Sequence, residues 1–313
     1  MLVSGSTVPT AVLGGGMPMI EVHDVTLAYP SGKGVFDLQF AIEQGVAMGY
    51  LGPNGAGKTT TIRALLGFMR PNKGICTIAG LDCMQDAPDI QKRIGYIPGE
   101  ISFIDGMHGD EFLRFMFDMR EMKDDRLQKQ LLDMFDLDPR GNIRKFSKGM
   151  KQKLGIVTAF MHDPEVLILD EPTSGLDPLM QQLFVELILE NKKRGKTILM
   201  SSHSFKEVES TCDHVIIIKD GRIINQSDVQ TLKKSERRGY VIQTDSVKSA
   251  VQLFAASGFE ASAVSDDTLE VFVTGDHVDQ FVKTAANITV RSIDVTSQSL
   301  EDIFMQFYAR KEQ

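Results

Sequence analysis

The chain has 313 residues, about two domains at ~150 residues each. Its 34 Lys and Arg against 42 Asp and Glu give a net charge of −8, which argues against broad electrostatic binding to nucleic acid. Three cysteines (Cys76, Cys83, Cys212) make no CxxC pair, disulfide framework or zinc spacing and fit a reducing compartment as small buried hydrophobes, and no apolar run nears the ~18 residues a bilayer span needs.

Residues 1–18 are rich in Gly, Ser, Thr and Pro. They lack the basic start and apolar core of a signal peptide, so they read as an unstructured leader or cloning remnant, with Met17 or Met19 as a candidate start. Ile20–Tyr29 and Val35–Ile42 alternate around a Pro30–Gly34 turn and predict a hairpin. Val46–Leu51 predicts a strand running into a Gly-rich loop, and a helix follows from about Lys58 to near Gly67. Ile75–Ile78 and Ile94–Ile97 are short strands. From Glu100 to His162 the spacing turns helical, in Phe112–Met122, Leu127–Phe135 and Met150–Met161, with dense methionine. That density fits core packing or a partner surface.

Val166–Glu171 is an apolar run of the kind a parallel sheet buries on both faces. Pro178–Lys193 predicts a helix with Pro in its first turn. Thr197–Ser202 reads as strand and Phe205–Thr211 as helix. His214–Lys219 and Arg222–Gln226 form a strand–turn–strand. Asp228–Arg238 is a charged helical boundary. Beyond it come strand Tyr240–Thr244, helix Val247–Ser257, strands Glu260–Ser265 and Thr268–Val273, helix Asp276–Ala285, strand Ile288–Val295 and helix Leu300–Tyr308. That βαββαβα order predicts a ferredoxin-like α+β sandwich.

The loop Gly52-Pro53-Asn54-Gly55-Ala56-Gly57-Lys58-Thr59 matches GxxxxGK[ST] in full and is followed by Thr60. Glycines let backbone N–H groups approach phosphate oxygens, and the helix start adds its positive end. Lys58 is placed to reach the β and γ phosphates, and the Thr59 hydroxyl to help hold Mg²⁺. Alone, the motif identifies a nucleotide-binding P-loop protein. Asp170 and Glu171 end an apolar strand, where open α/β sheets bind ligands. Asp170 is the candidate metal ligand, and Glu171 the candidate base that orients and deprotonates the attacking water.

Phe146-Ser147-Lys148-Gly149-Met150-Lys151-Gln152-Lys153 precedes that strand. It resembles the signature motif of ATP-binding-cassette (ABC) ATPases, with Lys148 replacing a Gly and Met150 replacing Gln. Thr173–Pro178 resembles the D-loop, with Asp177 in it. Ser201-Ser202-His203 resembles the switch histidine, and Tyr29 stands where the family stacks an aromatic on adenine. Gly99 occupies the usual Q-loop Gln position, and Glu100, one residue later, is the substitute metal candidate. The ordered motifs cover about residues 20–228. "SKGMKQK", "IGYIP" and Ser299–Phe304 resemble ATPase subunits of ABC-2-type exporters, the group that includes antimicrobial-peptide and drug self-resistance systems.

The resemblance implies an α/β fold: a P-loop ABC ATPase core over 19–228, with a mainly parallel sheet, an antiparallel β subdomain and a helical subdomain at about 100–163. A C-terminal ferredoxin-like α+β domain over 229–313 would follow it. It implies ATP and Mg²⁺ as cofactors. Ser147 and Gly149 would contact the γ-phosphate held by a second ATPase subunit, making a homodimer. A separate integral membrane permease would hold the chain peripherally at the cytoplasmic face, and the Met-rich insertion with the Q-loop region would be the docking face. Two other readings compete: a soluble ABC ATPase of an assembly pathway without a membrane partner, and a non-catalytic ATP-binding module. The presence of Glu171 and His203 argues against the second.

Overall fold

The structure, a computed structural model, describes residues 18–234, 237–274 and 277–297. The chain divides into two compact units that meet at Gln226 and Ser227. The helix expected at Leu300–Tyr308 and the leader residues 1–17 lie outside the described residues.

The first unit opens with the hairpin β1 (Pro18–Ala28) and β2 (Gly34–Glu43), followed by β3 (Ala47–Leu51) and α1 (Lys58–Leu65). Next come β4 (Lys73–Ile78), β5 (Leu81–Asp82), α2 (Ala87–Arg93) and β6 (Ile94–Ile97). The helical segment holds α3 (Gly109–Met119), α4 (Arg126–Met134) and α5 (Lys148–Phe160). The unit closes with β7 (Val166–Asp170), α6 (Pro178–Lys193), β8 (Thr197–Ser202), α7 (Phe205–Thr211), β9 (His214–Lys219) and β10 (Arg222–Asp228).

Two sheets result. An antiparallel sheet has the order β2-β1-β4-β5, and a six-stranded sheet has the order β10-β9-β3-β8-β7-β6. From β9 through β3, β8 and β7 to β6 the second sheet is parallel. β3, β7 and β8 are buried at every residue, as expected of strands covered on both faces. Register sets the site: Leu51 pairs with Ser202 and Asp170 with Ser201, so the chain leaves β3, β7 and β8 at one level of the sheet.

The short elements β5 and α2 were not predicted; two and seven residues are too few for a periodic signal. The helix expected over Asp228–Arg238 is shorter, as α8 (Val229–Lys234), and β11 (Arg237–Thr244) begins three residues before the predicted strand. Arg237 and Arg238 pair with Thr274 and Val273, so sheet pairing overrides a charged, helix-like local sequence.

The second unit continues with α9 (Val247–Ala256), β12 (Glu260–Ala263), β13 (Thr268–Thr274), α10 (Val278–Ala285) and β14 (Val290–Ser297). Its sheet order is β12-β13-β11-β14, antiparallel throughout. Its core includes buried Tyr240, Phe254 and Phe281, with ring centroids 4.2 Å apart for Tyr240–Phe281 and 5.6 Å for Phe254–Phe281.

Candidate active site

The loop after β3 turns into α1 at Gly57, whose φ of +111° lies where a side chain would be strained. No side chain caps α1, so the first-turn N–H groups are left to face an anion. Lys58 is buried and its Nζ donates to the carbonyls of Gly52 (2.7 Å) and Pro53 (3.3 Å). A cavity of about 170 Å³ is lined by Pro53, Asn54, Gly55, Gly57, Lys58, Thr59, Thr60 and Glu171. Ala56 is buried behind the loop. No signature residue lines this cavity.

Asp170 is 1% exposed. Its Oδ2 accepts from Thr59 Oγ1 at 2.8 Å and its Oδ1 from Ser201 Oγ. Among the described residues it has no ion pair, so a buried carboxylate is held by two neutral hydroxyls. Together with the Thr59 hydroxyl it makes a hard-oxygen donor set that fits a divalent cation such as Mg²⁺.

Glu171 follows in the left-handed region, with φ of +48°. A residue there costs about 1–3 kcal/mol, a cost that persists only where the surroundings enforce it. The Glu171 N–H donates to both the carbonyl (3.1 Å) and the hydroxyl (3.2 Å) of Ser201, which pins this turn to β8. The Glu171 carboxylate then lies between two nitrogens: Lys58 Nζ is 3.5 Å from Oε1 and His203 Nδ1 is 3.3 Å from Oε2. The His203 ring is 67% exposed and the Glu171 side chain 25%. Motifs 113 residues before and 32 residues after Glu171 thus meet at its carboxylate.

Tyr29 is half-buried beside α1, its hydroxyl 3.4 Å from Thr60 Oγ1 and donating to Met69 Sδ at 3.4 Å. Ser147 caps α5, its Oγ accepting from Met150 N at 3.2 Å. Lys148 Nζ donates to Ser174 Oγ at 2.9 Å, and its side chain lies across Gly175. A Cβ on Gly149 would come within 3.0 Å of the Gly175 carbonyl, so signature and D-loop touch within one chain. Asp177 caps α6, its Oδ1 accepting from Met180 N at 3.1 Å. At the Q-loop, the direction of a side chain at Gly99 points to Asp170, where a Cβ would sit 3.2 Å from Oδ2. Glu100 is exposed at the next position.

Sequence reasoning overlooked Ser201, which ties both acids to β8. It also overlooked Gln152, whose Nε2 donates to the Pro172 carbonyl and links α5 to the turn after Glu171. The usable signal for Ser201 was a polar residue directly after the apolar stretch Ile198–Met200 of a buried strand.

Away from this cavity, a groove of about 1220 Å³ is lined by Met116, Met119, Met122, Leu127 and Met161, with Arg120 and His162 among its polar residues. Burial lowers the Arg120 guanidinium and takes the His162 imidazole down to about 4.

Comparison with known proteins decides the family. A family model described as ABC transporter matches residues 35–174, and a second, described as an AAA domain, matches residues 141–209. The chain is 35% identical over 305 residues to the bacitracin transport ATP-binding protein BcrA of Bacillus licheniformis, covering 92% of this chain and 96% of that one. The chain belongs to the ATP-binding subunits of ABC transporters. The ABC transporter ATP-binding protein NatA of Bacillus subtilis is 37% identical over 211 residues, covering 66% of this chain and 86% of that one. The Nod factor export ATP-binding protein I of Burkholderia lata is 32% identical over 304 residues, covering 94% and 98%. A solved ATP-binding subunit of an ABC transporter superposes with a TM-score of 0.63 at 32% identity, over 69% of this chain and 92% of that one. A dimeric bacterial ABC cassette, at TM-score 0.62 and 20% identity over 67% and 99%, shares the fold. This ABC ATPase therefore binds ATP with the P-loop fold described above. No helix among its described residues is long and apolar enough to cross a membrane.

Proposed function

We propose that this ABC ATPase hydrolyses Mg²⁺-bound ATP between two copies of itself and drives a separate membrane permease of the exporter type. The observation that carries this is Glu171, strained at φ +48° and set between Lys58 and His203. The P-loop amides and Lys58 bind the β and γ phosphates. Thr59 and Asp170 would hold Mg²⁺, which would neutralise charge developing on the phosphates. Glu171 orients the attacking water and takes its proton, and His203 reads the γ-phosphate from the neighbouring turn. Tyr29, beside Thr60, stacks on adenine. Glu100 reaches the metal only if the 98–101 loop shifts, because the aligned position is Gly99.

Two features support the homodimer. No signature residue lines the P-loop cavity, and Ser147, Gly149 and Asp177 lie on the α5 and α6 starts, where a second copy can bring its own ATP. The Met-lined groove supports permease docking, because flexible, polarizable methionines suit an adaptable interface. That docking would hold the chain peripherally at the cytoplasmic face of the membrane. BcrA is a bacitracin transport protein and the Nod factor relative an export protein, which favours an exporter of the antimicrobial-resistance kind over a soluble assembly ATPase.

The test is co-purification from detergent-solubilised native membranes, with partners identified by mass spectrometry. A polytopic protein recovered in equal amount supports the transporter reading. Recovery only in the soluble fraction would sink it.

A further inference from the structure

Glu207 on α7 is 8% exposed and enters none of the motifs above. Among the described residues no ion pair involves it. Its Oε2 accepts a hydrogen bond from Ser202 Oγ at 2.6 Å. Ser202 is the last residue of β8 and immediately precedes His203. The same Ser202 Oγ accepts from Ser204 N at 2.9 Å, so one hydroxyl bridges both sides of His203 and is itself anchored on Glu207. The other carboxyl oxygen, Oε1, is buried with no hydrogen-bond partner among the described residues, and the Thr173 side chain, on the turn that follows Glu171, lies close to the same carboxyl.

We propose that Glu207 is a positioning residue for ATP hydrolysis, anchoring on α7 the turn that carries His203. This rests on the roles given above to Glu171 and His203. Beyond the Glu171 carboxylate, little is packed around the largely exposed His203 ring, so its backbone sets its place. That backbone is fixed through Ser202 and Ser204, and both bonds depend on the Ser202 hydroxyl keeping its orientation toward Glu207. Without the carboxyl, Ser202 Oγ keeps only its bonds within the turn, accepting from Ser204 N at 2.9 Å and donating to the Ser204 carbonyl at 3.4 Å, and the His203 turn loses its anchor on α7. A misplacement of about 1 Å at a reacting group can lower turnover by roughly 100-fold.

Burial pushes the Glu207 carboxyl up, the bond from Ser202 pulls it down, and the charges acting on it are His203 and Glu171. A desolvated acid of this kind is a poor choice for stability alone, because apolar residues of similar volume commonly match or exceed buried charged groups. A structural role and a positioning role therefore predict different signs. If Glu207 only fills space, Glu207→Met leaves turnover intact. If it positions, Glu207→Met keeps or raises the melting temperature while turnover falls.

The experiment uses the purified full chain and measures steady-state Mg²⁺-ATP hydrolysis, ATP binding and thermal unfolding. Glu207→Met is expected to lower kcat by roughly 10- to 100-fold, with KM and ATP affinity within about twofold of wild type. Glu207→Gln, whose amide oxygen still accepts from Ser202, should restore kcat to within about threefold. Ser202→Ala cuts the same link from its other end. It should lower kcat in the same direction, and the loss should not add to that of Glu207→Met. Wild-type turnover in a folded Glu207→Met overturns the proposal, and so does wild-type turnover in Ser202→Ala should the Met variant not fold. Glu171→Gln and His203→Ala are run alongside. If those two hydrolyse ATP at the wild-type rate, the site reading itself falls and takes the positioning role with it. If they are impaired while the Glu207 and Ser202 variants are normal, only the Glu207 inference fails.

Discussion

Replacing Ser201 with Ala removes a hydroxyl that is fully buried and serves both acids at once. It donates to Asp170 Oδ1 and accepts from Glu171 N at 3.2 Å. The second bond has a substitute, since the Ser201 carbonyl also accepts from Glu171 N at 3.1 Å. The first has none among the described residues, because Asp170 is 1% exposed and its other side-chain donor, Thr59, is on Oδ2. The loss is therefore one hydrogen bond to a buried charged group, about 1.5–3 kcal/mol. At about 2–4 °C per kcal/mol for a unit of this size, the melting temperature should fall by about 3–12 °C. Asp170 keeps Thr59 as its one donor, so its carboxylate is held less firmly. Loss of such a supporting bond typically weakens a metal site by about 10–100-fold, and the Mg²⁺ concentration needed for half-maximal hydrolysis should rise by that factor. Thermal unfolding and a Mg²⁺ titration of ATP hydrolysis check both numbers. Unchanged melting together with an unchanged Mg²⁺ requirement would refute the reasoning, because it would mean Ser201 supports neither the fold nor the metal-side carboxylate.

Glu171→Gln should slow hydrolysis by about 10²–10⁴-fold, or ~3–5.5 kcal/mol of barrier, while equilibrium ATP binding persists; unchanged turnover removes Glu171 from the role of base. Gly175→Ala puts a side chain at φ +85° and within 2.9 Å of the Lys148 methylenes, so it should cost about 1–2 kcal/mol, read as a fall of about 2–8 °C in melting temperature. His162 is lowered to about 4 chiefly by burial, from 6.5. Below pH 6.5 the unfolded imidazole binds a proton that the native one refuses until about pH 4. Stability should therefore fall as pH drops through that window, by up to about 3 kcal/mol, and His162→Gln should flatten the pH dependence of melting there. Met119 is 63% exposed in the Met-lined groove, and Met119→Glu should reduce recovery of the permease in co-purification while leaving the melting temperature within about 2 °C.

Much of the first unit was legible because its signals are local. The P-loop is eight contiguous residues whose chemistry depends on their own backbone. The α6 boundaries follow from Asp177 as cap and Pro178 in the first turn, and the structure ends the helix at Lys193 as predicted. The run Val166–Glu171 reads as a strand buried on both faces because its apolar residues are consecutive, and Thr197–Ser202 reads as a strand; the structure has both, as Val166–Asp170 and Thr197–Ser202. Where local signals were weak or conflicting, reading faltered. The dipeptide β5 has no period, and the charged stretch before Gly239 looks helical until β13 and β14 pair with it.

Position in the chain alone therefore determined which residues form the phosphate loop, which acids end a buried strand, and the order of the family motifs. Only the tertiary structure decided how those pieces meet. Asp170 lies beside Ser201 because β7 and β8 are parallel neighbours in a fixed register, and Glu171 is held at φ +48° by a strand whose residues are 30 positions away. Glu207 faces Ser202 because α7 folds back on β8, and a side chain at Gly99 would point at Asp170, where that position carries none. These are contacts between residues that are distant along the chain. They arise from strand pairing and helix packing, and no local pattern of residue types encodes them.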